Sequence, residues 1–166
     1  GLKGDLECDL EADLDGDLIL DIIIQGFNGI VYAVNGSTYL PMWTVTIPGS
    51  ESSTSPTIGN FTGSYGADVF AVCYVPSYFD FYQVLIDGST GETVWQDSIA
   101  DLHFAAPNTF DYNGDGRDEI MVSVNNFTGT HYEHELKLLD FQNDSVVDFY
   151  SPEAGVGLAS TPCVGD

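Results

Sequence analysis

The sequence predicts an all-β protein, a β-propeller-type array of three four-stranded repeats that is part of a larger propeller or assembly. The first observation is a nine-residue acidic loop at residues 13–21 and 111–119, with an altered copy at residues 60–68. The second is spacing: the first loop residue recurs at positions 13, 60, 111 and 166, and a period of about 40–50 residues is typical of propellers and other repeat arrays. The third is the β-rich run that follows each loop, in a chain with no window of helical periodicity.

Each repeat is predicted to hold four short strands, separated by turns where Gly, Asp and Ser cluster. In chain order the strands are expected at residues 5–12, 19–25, 30–34 and 43–47, then 55–59, 69–75, 81–86 and 93–99, then 108–110, 120–124, 135–140 and 146–150. The repeats are placed at residues 1–52, 53–104 and 105–159, and residues 160–166 are interpreted as the start of a fourth.

The two intact loops carry oxygen-bearing side chains at loop positions 1, 3, 5 and 9. Ca²⁺ binds about six to eight oxygens, and alternate residues of a tight turn aim several of them at one point. Glycine at position 4 lets the backbone fold inward. The alternative is a metal-free Asx turn, but its convergent carboxylates would repel each other. The candidate metal residues are Asp13, Asp15, Asp17 and Asp21 in one loop and Asp111, Asn113, Asp115, Arg117 and Glu119 in the other.

The middle loop keeps oxygen atoms at the same four positions, which are Asn60, Thr62, Ser64 and Asp68. It has one carboxylate among them. Since tight Ca²⁺ binding depends on the charge of the ligands, we expect this loop to be empty or weakly occupied.

The succession of acidic loop, two strands, the turn at residues 87–91 and a strand with Trp95 resembles the FG-GAP/VCBS family of Ca²⁺-binding β-propeller repeats. That family occurs in integrin α-subunit heads and in secreted microbial proteins. Residues 87–95 also look like the turn-plus-Trp segment of quinoprotein-type blades. The family resemblance implies Ca²⁺ at the matching positions of the two intact loops, with a doubtful third site. Closed propellers have about four to eight blades. We therefore expect either a fragment of a longer protein or neighbouring copies that complete the sheet.

The charge of the chain excludes several partners. Asp and Glu number 26 against 3 Lys and Arg, a formal net charge of −23. Nucleic acid and anionic membranes are therefore disfavoured, and no transmembrane run is recognised. Extracellular Ca²⁺ suits weak binding modules, and N-glycosylation sequons begin at four asparagines. We expect a secreted or cell-surface glycoprotein, with glycosylation candidates Asn35, Asn60, Asn126 and Asn143.

Cysteine and histidine give no catalytic site. Cys73 follows an apolar run and is predicted to be buried, while Cys8 and Cys163 are the disulfide candidates, within the chain or between chains. His131 and His134 could bind one metal only if the strand held a bulge, because residues three apart on a strand point to opposite faces. They are therefore interpreted as exposed loop residues. No nucleophile elbow, phosphate loop or zinc-protease motif is present in the sequence.

Several aromatics suit either a sugar-stacking surface or a core between repeats, namely Trp43, Trp95, Tyr65, Tyr78, Phe79, Phe81 and Tyr82.

These observations together predict a non-catalytic extracellular module, stabilised by calcium, for binding, adhesion or surface and filament structure. Its expected partner is a protein or a glycan outside the cell, or further copies of the same chain. One alternative is a carbohydrate-active enzyme, a lyase or hydrolase, built on a calcium propeller. The other is a self-assembling structural subunit completed by neighbouring copies.

Overall fold

The computed structural model describes residues 6–52, 54–76, 80–100, 104–142 and 145–150; for residues 6–10, 99–100 and 145–150 it describes the backbone. This part of the chain contains thirteen β-strands and no helix. The strands are β1 (Leu6–Ala12), β2 (Asp21–Gly26), β3 (Ile30–Val34), β4 (Pro41–Thr46), β5 (Glu51–Ser52), β6 (Thr57–Gly59), β7 (Asp68–Val75), β8 (Asp80–Ile86), β9 (Thr93–Ala100), β10 (Asn108–Phe110), β11 (Glu119–Phe127), β12 (Tyr132–Asp140) and β13 (Ser145–Tyr150).

The strands form three antiparallel sheets in which neighbours in sequence are neighbours in space. The first sheet has the order β1-β2-β3-β4, and the third has the order β10-β11-β12-β13. In the second, β5 and β6 both pair with β7, which is followed by β8 and β9. This up-and-down order of four strands is that of a propeller blade. The prediction of an all-β, propeller-type array of four-stranded repeats is therefore confirmed.

Two differences from the predicted strands have local causes. The strand expected from residue 19 begins at Asp21, because the backbone N–H of Ile19 donates to Asp17 Oδ1 and holds that residue in the loop. The short strand β5 was not predicted. It pairs with Cys73 and Tyr74 of β7, although it lies before the boundary expected at residue 53.

The side chains on the two faces of β7 connect the second sheet to the first and to the third. Val69 and Ala71 pack into a cluster with the first sheet, whereas Phe70 and Val72 pack into a cluster with the third. Successive strand residues point to opposite faces, so a strand between two sheets is apolar on both. This explains why six consecutive residues from the start of β7 are buried. Cys73 is buried as predicted, and burial raises the pKa of its thiol to about 11.

Two hairpin turns repeat the same geometry at equivalent places. The N–H of Tyr39 donates to the carbonyl of Asn35, and the N–H of Gly91 donates to the carbonyl of Asp87, each at 2.8 Å. The glycine that follows the first residue of each turn lies against the acidic loop. A Cβ on Gly36 would stand 1.9 Å from the carbonyl oxygen of Leu20, and one on Gly88 would stand 1.8 Å from that of Ala67.

The substitution Gly88→Ala is expected to lower the free energy of unfolding by about 2–3 kcal/mol, because the loop backbone must move to admit the methyl group. Gly49→Ala is the control. A Cβ there meets nothing within 4 Å, so only the cost of its positive φ, about 1 kcal/mol, is expected. Urea unfolding of both variants measures the difference, and equal losses would contradict the close approach.

Candidate metal centres

The first acidic loop, residues 13–21, is held by its own carboxylates. Asp13 accepts hydrogen bonds from the N–H groups of Gly16 and Leu18, at 2.7 and 3.0 Å. The fully buried Asp21 accepts from the N–H of Leu14 and from that of Gly36 in the adjoining hairpin turn, both at 2.9 Å. These contacts fix the side chains without the help of a basic residue.

Three acids of this loop converge on one point. Asp13, Asp15 and Asp21 each present a carboxylate oxygen, and these atoms lie within 4.8 Å of one another. No other three Asp, Glu, His or Cys residues in the described part of the chain meet that criterion. An all-oxygen, anionic donor set suits a hard cation such as Ca²⁺. Asp17 lies outside this group, and its Oδ1 accepts from the N–H of Ile19.

The third loop, residues 111–119, repeats the same internal hydrogen bonds. Asp111 accepts from the N–H groups of Gly114 and Gly116, as Asp13 does from the residues at the same loop positions. In both loops the backbone N–H of position 5 also donates to the side chain of position 3, that of position 7 to the side chain of position 5, and that of position 2 to the side chain of position 9. Two segments 98 residues apart therefore adopt one loop conformation, although six of their nine residues differ.

Glu119 takes the place of Asp21 in the third loop. Its Oε2 accepts from the N–H of Tyr112 at 2.6 Å, and its Oε1 accepts from the side-chain amide of Asn113 at 2.9 Å. Burial raises the pKa of Glu119, and the negative charges of Asp140, Asp115 and Asp111 raise it further. A divalent cation beside these acids would oppose that repulsion, and carboxylate and amide oxygens are ligands of the type that Ca²⁺ takes.

Basic side chains do not balance the acids of the two loops. The ion pairs in the described part of the chain join His131 to Glu133 and Lys137 to Glu135, all on or beside β12. The guanidinium of Arg117 points away from its own loop and lies against Gly63 of the middle loop, where a Cβ would stand 2.6 Å from it. The side chain of Arg117, one of the candidate metal residues, is therefore directed at a neighbouring loop.

The middle loop, residues 60–68, is closed by hydroxyl groups. Thr62 Oγ1 lies 2.8 Å from Asp68 Oδ2, and Ser64 Oγ lies 3.0 Å from Asp68 Oδ1. Both hydroxyls donate to the buried carboxylate, which also accepts from the N–H groups of Phe61 and Thr62. The side chain of Asn60 turns away and donates to the carbonyl of Gly116. Hydrogen bonds thus satisfy Asp68 in a loop that lacks three of the four expected anionic ligands.

The substitution Thr62→Val is expected to lower the free energy of unfolding by about 1.5–3 kcal/mol, since Asp68 stays buried and loses a donor. Because no metal is expected in this loop, the loss should be equal in Ca²⁺ and in a chelator. The exposed Thr44→Val on β4 is the control and should change little. A loss for Thr62→Val that appeared only in Ca²⁺ would indicate a metal in the middle loop.

Consecutive loops are joined through their backbones. The N–H of Ala67 donates to the carbonyl of Asp13 at 3.0 Å, and the N–H of Asp118 donates to the carbonyl of Asn60 at 2.9 Å. In both cases loop position 8 donates to position 1 of the preceding loop. A side chain adds a further link between the first two loops, since the hydroxyl of Tyr65 donates to the carbonyl of Gly16 at 3.2 Å. The three loops therefore form one continuous stack that links the sheets.

The remaining predicted residues lie elsewhere. Three of the sequon asparagines use their side-chain amides, with Asn35 donating to Asp15, Asn60 to Gly116 and Asn126 to Glu135. Asn143 and Cys163 lie outside the described residues, as does the side chain of Cys8. The described segments contain no helix long and apolar enough to cross a membrane.

One cluster was missed in the sequence. The interpretation of His134 as an exposed loop residue is wrong, because it lies half-buried on β12 with Nε2 2.6 Å from Ser123 Oγ of β11. The amide of Asn125, opposite His134 in the sheet, is buried without a hydrogen-bond partner. Only the strand register brings these residues together, so their separation in sequence gave no signal.

The comparisons with known proteins find likenesses among solved structures alone. No protein-family model matches the chain, and no curated protein matches it. Among solved structures, BamB from Moraxella catarrhalis is similar at 13% sequence identity and a TM-score of 0.42. The similarity covers 79% of this chain and 45% of that one. The chain therefore spans less than half the length of that BamB.

Proposed function

We propose that this chain is a non-catalytic β-propeller-type module of the FG-GAP/VCBS kind, stabilised by Ca²⁺ and working outside the cell in binding or adhesion. One observation carries the proposal: residues 13–21 and 111–119 share one set of internal hydrogen bonds and place oxygen ligands at the same loop positions. Ca²⁺ would neutralise these loops and fix the start of β2 and β11. Asp13, Asp15 and Asp21 would hold one ion, and Asp111, Asn113, Asp115 and Glu119 the other.

An extracellular setting suits this chemistry. Ca²⁺ reaches about 10⁻³ M outside cells, where modules of modest affinity are loaded. The net charge of −23 favours binding of divalent cations and disfavours nucleic acid and anionic membranes. A protein or a glycan at the cell surface is therefore the partner class that we propose.

Calorimetric titration with Ca²⁺ tests the proposal. Two sites per chain are expected, and Asp15→Ala and Asp115→Ala should each remove one. Thr62→Ala and Ser64→Ala are matched controls, because they occupy loop positions 3 and 5 of the middle loop. Both should leave two sites. A chain that binds no Ca²⁺ would end the proposal.

A further inference from the structure

A groove lies between the first two sheets, away from the acidic loops. Its volume is about 270 Å³, and it runs between β4 with the turn after it and the strands β7, β8 and β9. Val45, Ile47 and Val75 supply apolar surface. Just above it, the indole of Trp43 donates to the carbonyl of Gly88 at 2.6 Å and packs against Gly91. Trp43 therefore joins the first sheet to the second where the groove begins.

The polar groups of the groove are available to a ligand. Tyr82, Thr93 and Gln96 lie on the face of the second sheet that looks toward the first. Their side chains form no hydrogen bond with any residue in the described segments. Ligand sites typically combine an apolar lining with a few convergent polar groups of this kind.

The groove is also neutral in a strongly acidic chain. None of the described residues that line it is charged, although the protein carries 26 acidic side chains. An anionic ligand would meet the repulsion of the whole protein, and a cationic one would find no carboxylate here to bind. Hydroxyl and amide groups beside an aromatic ring and aliphatic side chains fit a molecule with hydroxyls on its edge and C–H groups on its face.

We propose that this groove binds a sugar ring of a neutral saccharide. The ring would lie against Tyr82 and the apolar wall, and its hydroxyls would bond to Thr93 and Gln96. The inference rests on the proposed function, since it names the ligand class of that binding module. The sequence analysis gave several aromatics two possible roles, in a sugar-binding surface or in a core. Three of them pack in the cores, namely Trp43, Trp95 and Phe81, whereas Tyr82 lines this groove.

The test uses the full chain in Ca²⁺ and four neutral trisaccharides: cellotriose, chitotriose, mannotriose and α-1,4-galactotriose. Trigalacturonate is the charged counterpart of the last. Binding is followed by calorimetry and by amide chemical shifts. At least one neutral probe should bind once per chain, with shifts at Thr46, Thr93 and Gln96. Trigalacturonate should bind at least about tenfold more weakly than galactotriose, because of charge repulsion.

Three variants locate the site. Gln96→Ala should weaken binding about tenfold, and Thr93→Trp should abolish it by filling the groove. The exposed Gln142→Ala is the matched control and should bind like the parent chain. Two outcomes would overturn the inference and leave the proposed function intact. One is binding that survives both groove variants. The other is that none of the four probes binds to a chain that holds two Ca²⁺ ions. A chain without Ca²⁺ sites would overturn the proposed function instead, as the titration above reports on it separately.

Discussion

Removal of Ca²⁺ with a chelator is expected to lower the midpoint of thermal unfolding by about 15–30 °C. A ligand at a thousand times its dissociation constant stabilises the folded state by about 4 kcal/mol per site, and two sites are expected. For a chain of this size each kcal/mol corresponds to about 2–4 °C. The acids of loops 1 and 3 form no ion pair with a basic residue in the described part of the chain, so their repulsion returns when the cation leaves.

Differential scanning calorimetry in Ca²⁺ and in a chelator measures this shift. A variant carrying both Asp15→Ala and Asp115→Ala is the control, since it should unfold at the same temperature in both buffers. A parent chain whose midpoint moves by less than about 3 °C would show that the loops are stable without metal.

The second large effect is expected from Phe70→Ala, which should lower the free energy of unfolding by about 3–5 kcal/mol. Phe70 is fully buried between the second and third sheets, with ring centroids of Trp95 and Phe141 both 6.3 Å away. Its removal leaves a cavity where aromatic rings from two sheets meet. The free energy of unfolding of a typical domain is about 5–15 kcal/mol, so this single substitution would remove a large part of it.

Urea unfolding in saturating Ca²⁺ measures that loss. Phe127→Ala offers the same chemical change at a side chain that is 51% exposed, and less than about 1 kcal/mol is expected there. Losses of equal size at the two positions would mean that the sheets are not held together by this aromatic cluster.

The fold was predictable because its signals are local. The β-rich runs after each loop predicted β2, β7 and β11 to within a few residues, and the repeated loop predicted their period. The strand β5 has only two residues, too few for a pattern to emerge. The convergence of Asp13, Asp15 and Asp21 was also readable, since it depends on spacing within nine residues, whereas their binding of Ca²⁺ stays a prediction. What position 9 contacts outside its loop was not readable, as the bond from Gly36 to Asp21 shows.

Only one of two properties of the middle loop could be predicted from the sequence. The loss of carboxylates predicted a loop without tight metal binding, and Thr62 and Ser64 were expected as weak ligands. Their role as donors to Asp68 depends on the direction of two hydroxyl groups, which composition does not reveal. The contact between Ser123 and His134 was unpredictable for a related reason, because it needs the register of β11 against β12.

The links between neighbouring loops have a consequence for how such an array can change. Each junction includes a bond from a backbone N–H to a backbone carbonyl, and that bond does not depend on which side chains stand at loop positions 8 and 1. The carboxylates of one loop can then be replaced by hydroxyl groups, as in the middle loop, without a change in these backbone bonds. Under the proposed function, dependence on calcium would be a property of each unit separately, set by two or three side chains. Transfer of Thr and Ser into loop 1 would therefore be a route to an array that responds to calcium at one end and ignores it at the other.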